Sequence, residues 1–298
     1  MLQVRPKPAI LKPTDAIVRM TSNELAGTDL HVLKGDVATC DTGRILGHEG
    51  VGVVESAGEG VMKFKPGDNV IVSCITSCST CDYCRKGMPS HCVDGGWKLG
   101  NTIDGTQAEY ARIPHADGSL HLMVEGATAE GQIMISDALP TGFECGVLSG
   151  KVSPGCTVAI VGCGPVGISA MITSQLYSPS RVIMIGRNAN RVAWRRLWEL
   201  TNGEGADTLL RGGTIANLGV HGCKVDLHLE NLWDKNITIT TRLVDTTTAP
   251  MLIKLLGSGK IKIAGLVTHR YNFADIEEAY DTFGAAAKHK AVKVIPHF

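Results

Sequence analysis

The chain has 298 residues, 44% of them hydrophobic, with 29 Lys and Arg balanced by 29 Asp and Glu. That length suits one large domain or, better, two, and the apolar share supplies a full core and argues against disorder. A net charge of zero removes the electrostatic case for nucleic acid or an anionic membrane as a partner.

The N-terminal stretch "MLQVRPKPAILKPTDAIV" carries Pro6 and Pro8 and has no apolar run of the kind a secretory signal needs. The first third reads as β. "HEGVGVVESAG" places Val51, Val53 and Val54 before a glycine turn, and "VMKFKPGDNVIV" sets Pro66-Gly67-Asp68 ahead of another apolar run. Short strands punctuated by Pro-Gly predict a barrel-like β domain, continued by "TQAEYARI" and "SLHLMV". From Glu130, "AEGQIMISDALPTGFECGVLSG" reads as helix, with Pro140 tolerable only in a first turn or at a kink. "TVAIVG" is a fully apolar strand of the kind a parallel sheet buries on both faces. Helices are expected over Pro165–Tyr177 and Arg191–Leu200, and strands at "RVIMIG", "GTIANLG" and "NITITTRL". The tail adds the helix "IEEAYDTFGAAA" and the strand "AVKVI". This is α/β alternation following a β-rich start. The longest apolar stretch, Val158–Thr173, is broken by Gly162, Gly164, Pro165 and Gly167, too interrupted for a membrane span.

One conflict stands out. "ADTLL" (206–210) and "GTIANLG" (213–219) both read as strands with only Arg211 and Gly212 between them. Parallel neighbours need a crossover of about a dozen residues. One of the two is not a strand, or they form a hairpin, or a segment is missing. The whole stretch from Thr157 to Leu243 is also short for six strands and their crossovers.

The ten cysteines, with no export signal, point to a reducing cytoplasm and to metal rather than disulfide. Cys78, Cys81, Cys84 and Cys92 form C-x2-C-x2-C-x7-C in "CSTCDYCRKGMPSHC". Four thiolates in one short loop close a tetrahedral shell around Zn2+ and leave no place for substrate, so the site is structural. Four unligated thiols would be unusual at this density, an iron–sulfur cluster would want a longer gap or a trailing proline, and a nucleic-acid zinc ribbon lacks the charge. Cys74 lies outside the pattern and reads as core.

Gly162-Cys163-Gly164-Pro165-Val166-Gly167 is G-x-G-x-x-G, after an apolar strand and opening a helix. Gly162, Gly164 and Gly167 allow a tight turn and close approach of a pyrophosphate to the helix N-terminus, where Pro165 and Val166 begin the helix. A plain βα turn is the bland alternative. An acid at the end of the second strand would bind a ribose 2′-hydroxyl. The chain has Gly186-Arg187 there, with Arg191 near enough to assist. A small residue makes room, and an arginine meets a 2′-phosphate with paired donors, which favours NADP(H) over NAD(H). The alternative is that Arg187 faces solvent.

"LAGTDLH" (25–31) and "GHEG" (47–50) gather two histidines and two acids near the N-terminus, part of a metal or proton-transfer site. With the cysteine loop, "GGWKLG", "DGTQAEYARIPHAD", "SDALPTGFE", "VGCGPVG" and "TITTRLVDT", the chain resembles the zinc-dependent alcohol dehydrogenases of the medium-chain dehydrogenase/reductase superfamily, in particular their secondary-alcohol branch. The resemblance implies a GroES-like β-barrel catalytic domain over residues 1–140, with its structural zinc loop at 74–92. It implies a Rossmann coenzyme domain with a doubly wound parallel sheet at 141–246, and a segment at 247–298 that returns to the catalytic domain. The active site would lie in the cleft between the domains of a homodimer or homotetramer. His48 and Asp137 would be ligands of a catalytic zinc, and Glu49 a nearby carboxylate able to approach the metal. Thr28 would exchange the proton with the substrate oxygen and His31 relay it to solvent. Asp29 would orient His48, and Trp97 would line the substrate pocket. The implied reaction passes hydride between NADP(H) and a small secondary alcohol or ketone, or an aldehyde. Taken singly, His48, Asp137 and Trp97 would be ordinary packed residues.

Two departures from that pattern matter. Ala26 occupies the position where the family places a thiolate ligand, so one tightly held zinc is expected at the cysteine loop and a weakened or lost one at His48 and Asp137. Nothing in the spacing of Cys40 or Cys145 makes either a substitute. The chain is also short at its start and within the coenzyme region, in keeping with the crossover conflict. A non-catalytic descendant that binds cofactor or an oligomer partner is therefore the competing expectation. A zinc-independent reductase of the superfamily is a third, opposed by the retained "GHE" and cysteine loop.

Overall fold

The computed structural model describes residues 2–186, 212–222, 224–263 and 265–298. The chain divides into two compact units, Met1–Asp137 with Asp245–Phe298, and Ala138–Val244.

The first unit is built around β1 (Ala16–Asn23). It pairs antiparallel with β2 (Gly50–Ala57) along its length, with two register shifts. On its other edge β4 (Tyr110–Ile113) takes the first half and β11 (Lys293–His297) the second. β3 (Asn69–Val72) and β5 (Leu120–Leu122) extend the sheet beyond β2, and β10 (Val267–Asn272) runs parallel to β11 at the opposite end. The order is β10-β11-β1-β2-β3-β5 with β4 on β1. Among the described residues no ladder joins β5 to β10, so the expected barrel is realised as an open seven-stranded sheet.

Alternating inward residues of these strands make one apolar cluster, Ala16, Val18 and Met20 meeting Val54, Val70, Val72, Ala111, Ile113 and Leu120. A second cluster packs Leu25 and Val294 against Ile276, Ala279 and Phe283 of helix α4 (Ile276–Gly284). Helices α1 (Gly27–Leu33) and α3 (Ala249–Gly257) also belong to this unit. Pro66-Gly67 makes the predicted turn, with Gly67 at φ +95°.

The stretch expected as one helix from Glu130 is three pieces: Ala129–Ile133, Ala138–Pro140 and a π-helical segment, Thr141–Leu148. Pro140 cannot donate to a preceding turn, which explains the break. Gly142 lies so close to α2 (Pro165–Ser174) that a Cβ would stand 2.5 Å from the Ala170 nitrogen. In the second unit β6 (Thr157–Val161) pairs parallel with β7 (Arg181–Ile185), and β8 (Thr214–Asn217) pairs parallel with β9 (Thr238–Thr241). The parallel hand is as predicted, but β6 is not covered on both faces: Val158 is buried and Val161 is exposed. β6 has a single described neighbour, so less of it is shielded. The expected strand at 206–210 and helix at 191–200 lie outside the described residues. No helix among the described residues is long and apolar enough to cross a membrane.

Candidate active site

His48 and Glu49 are delivered by a turn that only glycine can make. Gly47 sits at φ +91°, and a Cβ on it would meet Gln107 Cγ at 2.7 Å and Thr106 Oγ1 at 2.8 Å. Asp137 reaches them because Ser136 is pinned to the start of β2. Its Oγ accepts from the Gly50 N–H and donates to the Gly50 carbonyl, both at 3.1 Å. The result brings His48 Nε2 to 3.5 Å from Asp137 Oδ2 and 3.9 Å from Glu49 Oε1. One donor atom from each residue lies within 4.8 Å of the others. Tetrahedral zinc with N/O bonds of ~2.0–2.1 Å holds its donors ~3.3 Å apart, so these three residues fit a divalent cation with little movement. Burial opposes charge on His48, yet the carboxylates of Asp137, Asp29 and Glu49 outweigh it and raise the imidazole to about 9. The pocket of acids thus favours a positive charge at this point. Trp97 meets His48 edge-on, ring centroids 6.0 Å apart.

Ala26 is buried just ahead of α1. Its N–H donates to Asp29 Oδ2 at 2.8 Å, closing the first turn of the helix. Asp29 Oδ1 stands 3.9 Å from His48 Nδ1, longer than a hydrogen bond, so the expected orienting contact is electrostatic. Gln107 Nε2 also donates to Asp29 Oδ2, and Tyr280 OH of α4 donates to Gln107 Oε1. Thr28 and His31, three positions apart, share one face of α1 and are both half-buried. His31 Nδ1 is 2.7 Å from Asp36 Oδ2.

Lys293, Glu24, Cys74 and Gln107 escaped the motif reading. Lys293 is fully buried in β11, its ammonium between Glu24 Oε2 at 2.7 Å and Glu49 Oε2 at 2.8 Å. Burial opposes its charge, but the two carboxylates outweigh that and hold it above the ordinary lysine value. The one available signal was a lysine inside the otherwise apolar "AVKVI".

The four cysteines converge, with their Sγ atoms within 4.8 Å of one another. Zinc with Zn–S bonds of ~2.3 Å needs sulfurs ~3.8 Å apart. Backbone N–H groups already point at sulfur, Cys78 N to Cys92 Sγ at 3.3 Å and Cys81 N to Cys78 Sγ at 3.4 Å. Burial raises the Cys78 thiol, but hydrogen bonds from Thr80 and its neighbours overcome it and bring it to about 6. Burial beside Cys81 and Cys92 pushes Cys84 up to about 12. Backbone hydrogen bonds lower Cys81 as well, while burial raises Cys92 along with Cys84; a cluster that favours some thiolates and opposes the rest without a cation fits zinc.

In the second unit, Gly162 takes φ +108°, and its N–H bonds the Ile185 carbonyl of β7 at 2.8 Å. Gly164 caps α2, with Pro165 and Val166 in its first turn. A Cβ on Gly162 or Gly164 would meet nothing within 4 Å, whereas one on Gly167 would stand 2.0 Å from the Gly162 carbonyl oxygen. The ground above the first two glycines is open to a phosphate, and the third is needed for the turn itself, which fits a dinucleotide. A Cβ on Gly186 would come within 3.3 Å of Cys163 Sγ. Arg187 and Arg191 lie outside the described residues.

The alcohol dehydrogenase GroES-like domain, as a family model, matches residues 12–123. An alcohol dehydrogenase of Cupriavidus necator is 30% identical over 91% of this chain and 88% of its own length. The chain belongs to the zinc-dependent alcohol dehydrogenase family. An NADP-dependent isopropanol dehydrogenase of Clostridium beijerinckii is 29% identical over 89% of this chain and 88% of its own. Among solved structures, apo zinc-dependent alcohol dehydrogenase 2 from Streptococcus pneumonia superposes with a TM-score of 0.93 at 44% identity, covering 99% of this chain and 94% of that one. This alcohol dehydrogenase is shorter than these relatives, and its family makes it an oxidoreductase of the alcohol dehydrogenase type.

Proposed function

We propose that this alcohol dehydrogenase interconverts a small secondary alcohol and its ketone, or an aldehyde and its alcohol, with NADP(H). In this reading Ala138–Val244 carries the coenzyme, and His48, Asp137 and Glu49 hold a catalytic cation. The observation that carries it is the meeting of those three donors at 3.5 and 3.9 Å in a pocket that favours positive charge. A zinc ion bound there supplies Lewis acidity to the substrate oxygen, and the nicotinamide supplies or accepts the hydride. The chain's own residues do the rest. Thr28 exchanges the oxygen's proton, and His31, steadied by Asp36, passes it outward. Trp97 forms a wall beside His48. Gly162, Gly164 and Gly167 bring backbone N–H groups to the pyrophosphate, and Gly186-Arg187 make room for and meet a 2′-phosphate. The isopropanol-oxidising relative supports the substrate class and the NADP preference.

The test is NADP-dependent oxidation of propan-2-ol alongside zinc content. One zinc per chain with feeble turnover, rising at least tenfold in Ala26→Cys as the content approaches two, is the expected result. No turnover in either protein, with NADPH still bound, favours the second reading, a non-catalytic cofactor-binding descendant, to which Ala26 gives some support. Tighter binding of NADH than NADPH would sink the 2′-phosphate assignment.

A further inference from the structure

Glu49 divides its two oxygens. Oε2 accepts from Lys293 Nζ at 2.8 Å, while Oε1 faces His48 Nε2 at 3.9 Å. Lys293 in turn is shared, with Glu24 Oε2 at 2.7 Å. All three side chains are almost wholly inaccessible, and they come from the end of β1, the turn before β2 and the last strand. Burying a lysine and two acids together is costly unless their geometry is used. Two carboxylates share one ammonium, burial and the neighbouring Glu49 raise Glu24 well above the ordinary carboxylate range, and Glu24 Oε1 is without a partner. Glu49 Oε1 is the oxygen of the triad that faces the three-donor site.

We propose that Lys293 is a positioning residue that commits Glu49 to the cation through one oxygen, making it the third donor in place of the thiolate that Ala26 cannot supply. With Oε2 occupied by the ammonium, Glu49 cannot chelate through both oxygens and cannot turn away. Glu24 draws part of the lysine's charge, so Glu49 keeps enough of its own to hold a metal. The inference rests on the reading of His48, Asp137 and Glu49 as cation donors.

Coordination and charge make opposite predictions here, which allows a clean test. Removing an ammonium near a cation strengthens binding if only charge matters. Loss of an oriented carboxylate weakens it, typically by ten- to a hundredfold for a residue that holds a ligand in place. Co2+ is titrated into protein that holds one zinc per chain, at the cysteine loop, and followed by its visible absorption, with circular dichroism as the folding control. Wild type is expected to take up Co2+ with the spectrum of a low-coordinate N/O site. Lys293→Met is expected to bind it at least tenfold more weakly with an altered spectrum, and Lys293→Arg to restore most of both. Because Lys293→Met leaves two buried acids unpaired, the charge-balanced pair Glu24→Gln with Lys293→Met is measured as well. It removes one carboxylate together with the ammonium, so unchanged Co2+ affinity and spectrum in that folded protein would overturn the proposal. Glu49→Gln should match it, with no further loss when the three changes are combined. If wild type binds no Co2+ beyond the cysteine loop, the donor-site reading itself fails, a result distinct from failure of the lysine's role.

Discussion

Cys74 and Asp137 meet with Sγ 3.4 Å from Oδ1, the oxygen that does not face His48. Cys74 is buried two residues after β3, and its own N–H bonds the Ser136 carbonyl at 2.9 Å. The thiol therefore steadies Asp137 much as a backbone bond steadies Ser136. Cys74→Ala should weaken Co2+ binding at the three-donor site severalfold and cost about 1 kcal/mol of stability. Cys74→Ser should retain most of the affinity. Equal affinity in all three proteins would reduce Cys74 to packing alone.

The cysteine loop is tied to the start of the returning segment. Ser90 donates its N–H and its hydroxyl to Asp245 Oδ1, at 3.0 and 2.6 Å. Cys84→Ser should release one zinc per chain and cost at least ~2 kcal/mol, since metal closure of such a loop is folding energy. Elemental analysis with a thermal melt checks both. Retained zinc would mean three thiolates suffice.

The glycine turn of the second unit offers a matched pair. Gly167→Ala forces a Cβ against the Gly162 carbonyl and should lose ~1–3 kcal/mol as well as NADPH binding. Gly164→Ala meets nothing in the protein, so it should keep its melting temperature and lose NADPH affinity. Fluorescence titration separates them, and an unaffected Gly164→Ala would put the phosphate elsewhere.

His121 in β5 sets an acid-side slope. Burial, helped by the charge of Lys63, lowers its pKa to about 4. Between pH ~6.5 and ~4 the unfolded chain takes up a proton that the folded one refuses. Its contribution to stability is whole above that window and declines as pH falls through it, by on the order of 1–2 kcal/mol. Urea midpoints at pH 7.5 and 5.0 should show this, and His121→Gln should flatten the slope.

Much of this fold is legible in the sequence. Pro66-Gly67, the alternating valines of β2 and the apolar runs of β6 and β7 carry their structure locally, so strands emerged close to where they lie. The cysteine loop and the glycine turn are short and self-contained, and their geometry followed from spacing. The π-helical turn after Pro140 was not legible, because it answers to a close approach between Gly142 and α2. Nor were Glu24 and Lys293, which are separated by most of the chain and show their purpose only when β11 lies beside β1. A sequence displays a buried lysine as an oddity in a strand; its partners are a property of topology.

That topology has a consequence for how the protein is born. β11 brings the cation that two acids from the first fifty residues require, and Lys293 follows Glu24 by 269 residues and Glu49 by 244. Until it arrives, Glu24 and Glu49 stand in a half-built sheet without the Lys293 ammonium. The N-terminal strands cannot settle into their final packing during synthesis without burying unpaired charge. Pairing of β11 with β1 and completion of the acid pocket thus become one event, and a nascent chain stalled before β11 carries an open sheet edge for chaperones or proteases to find.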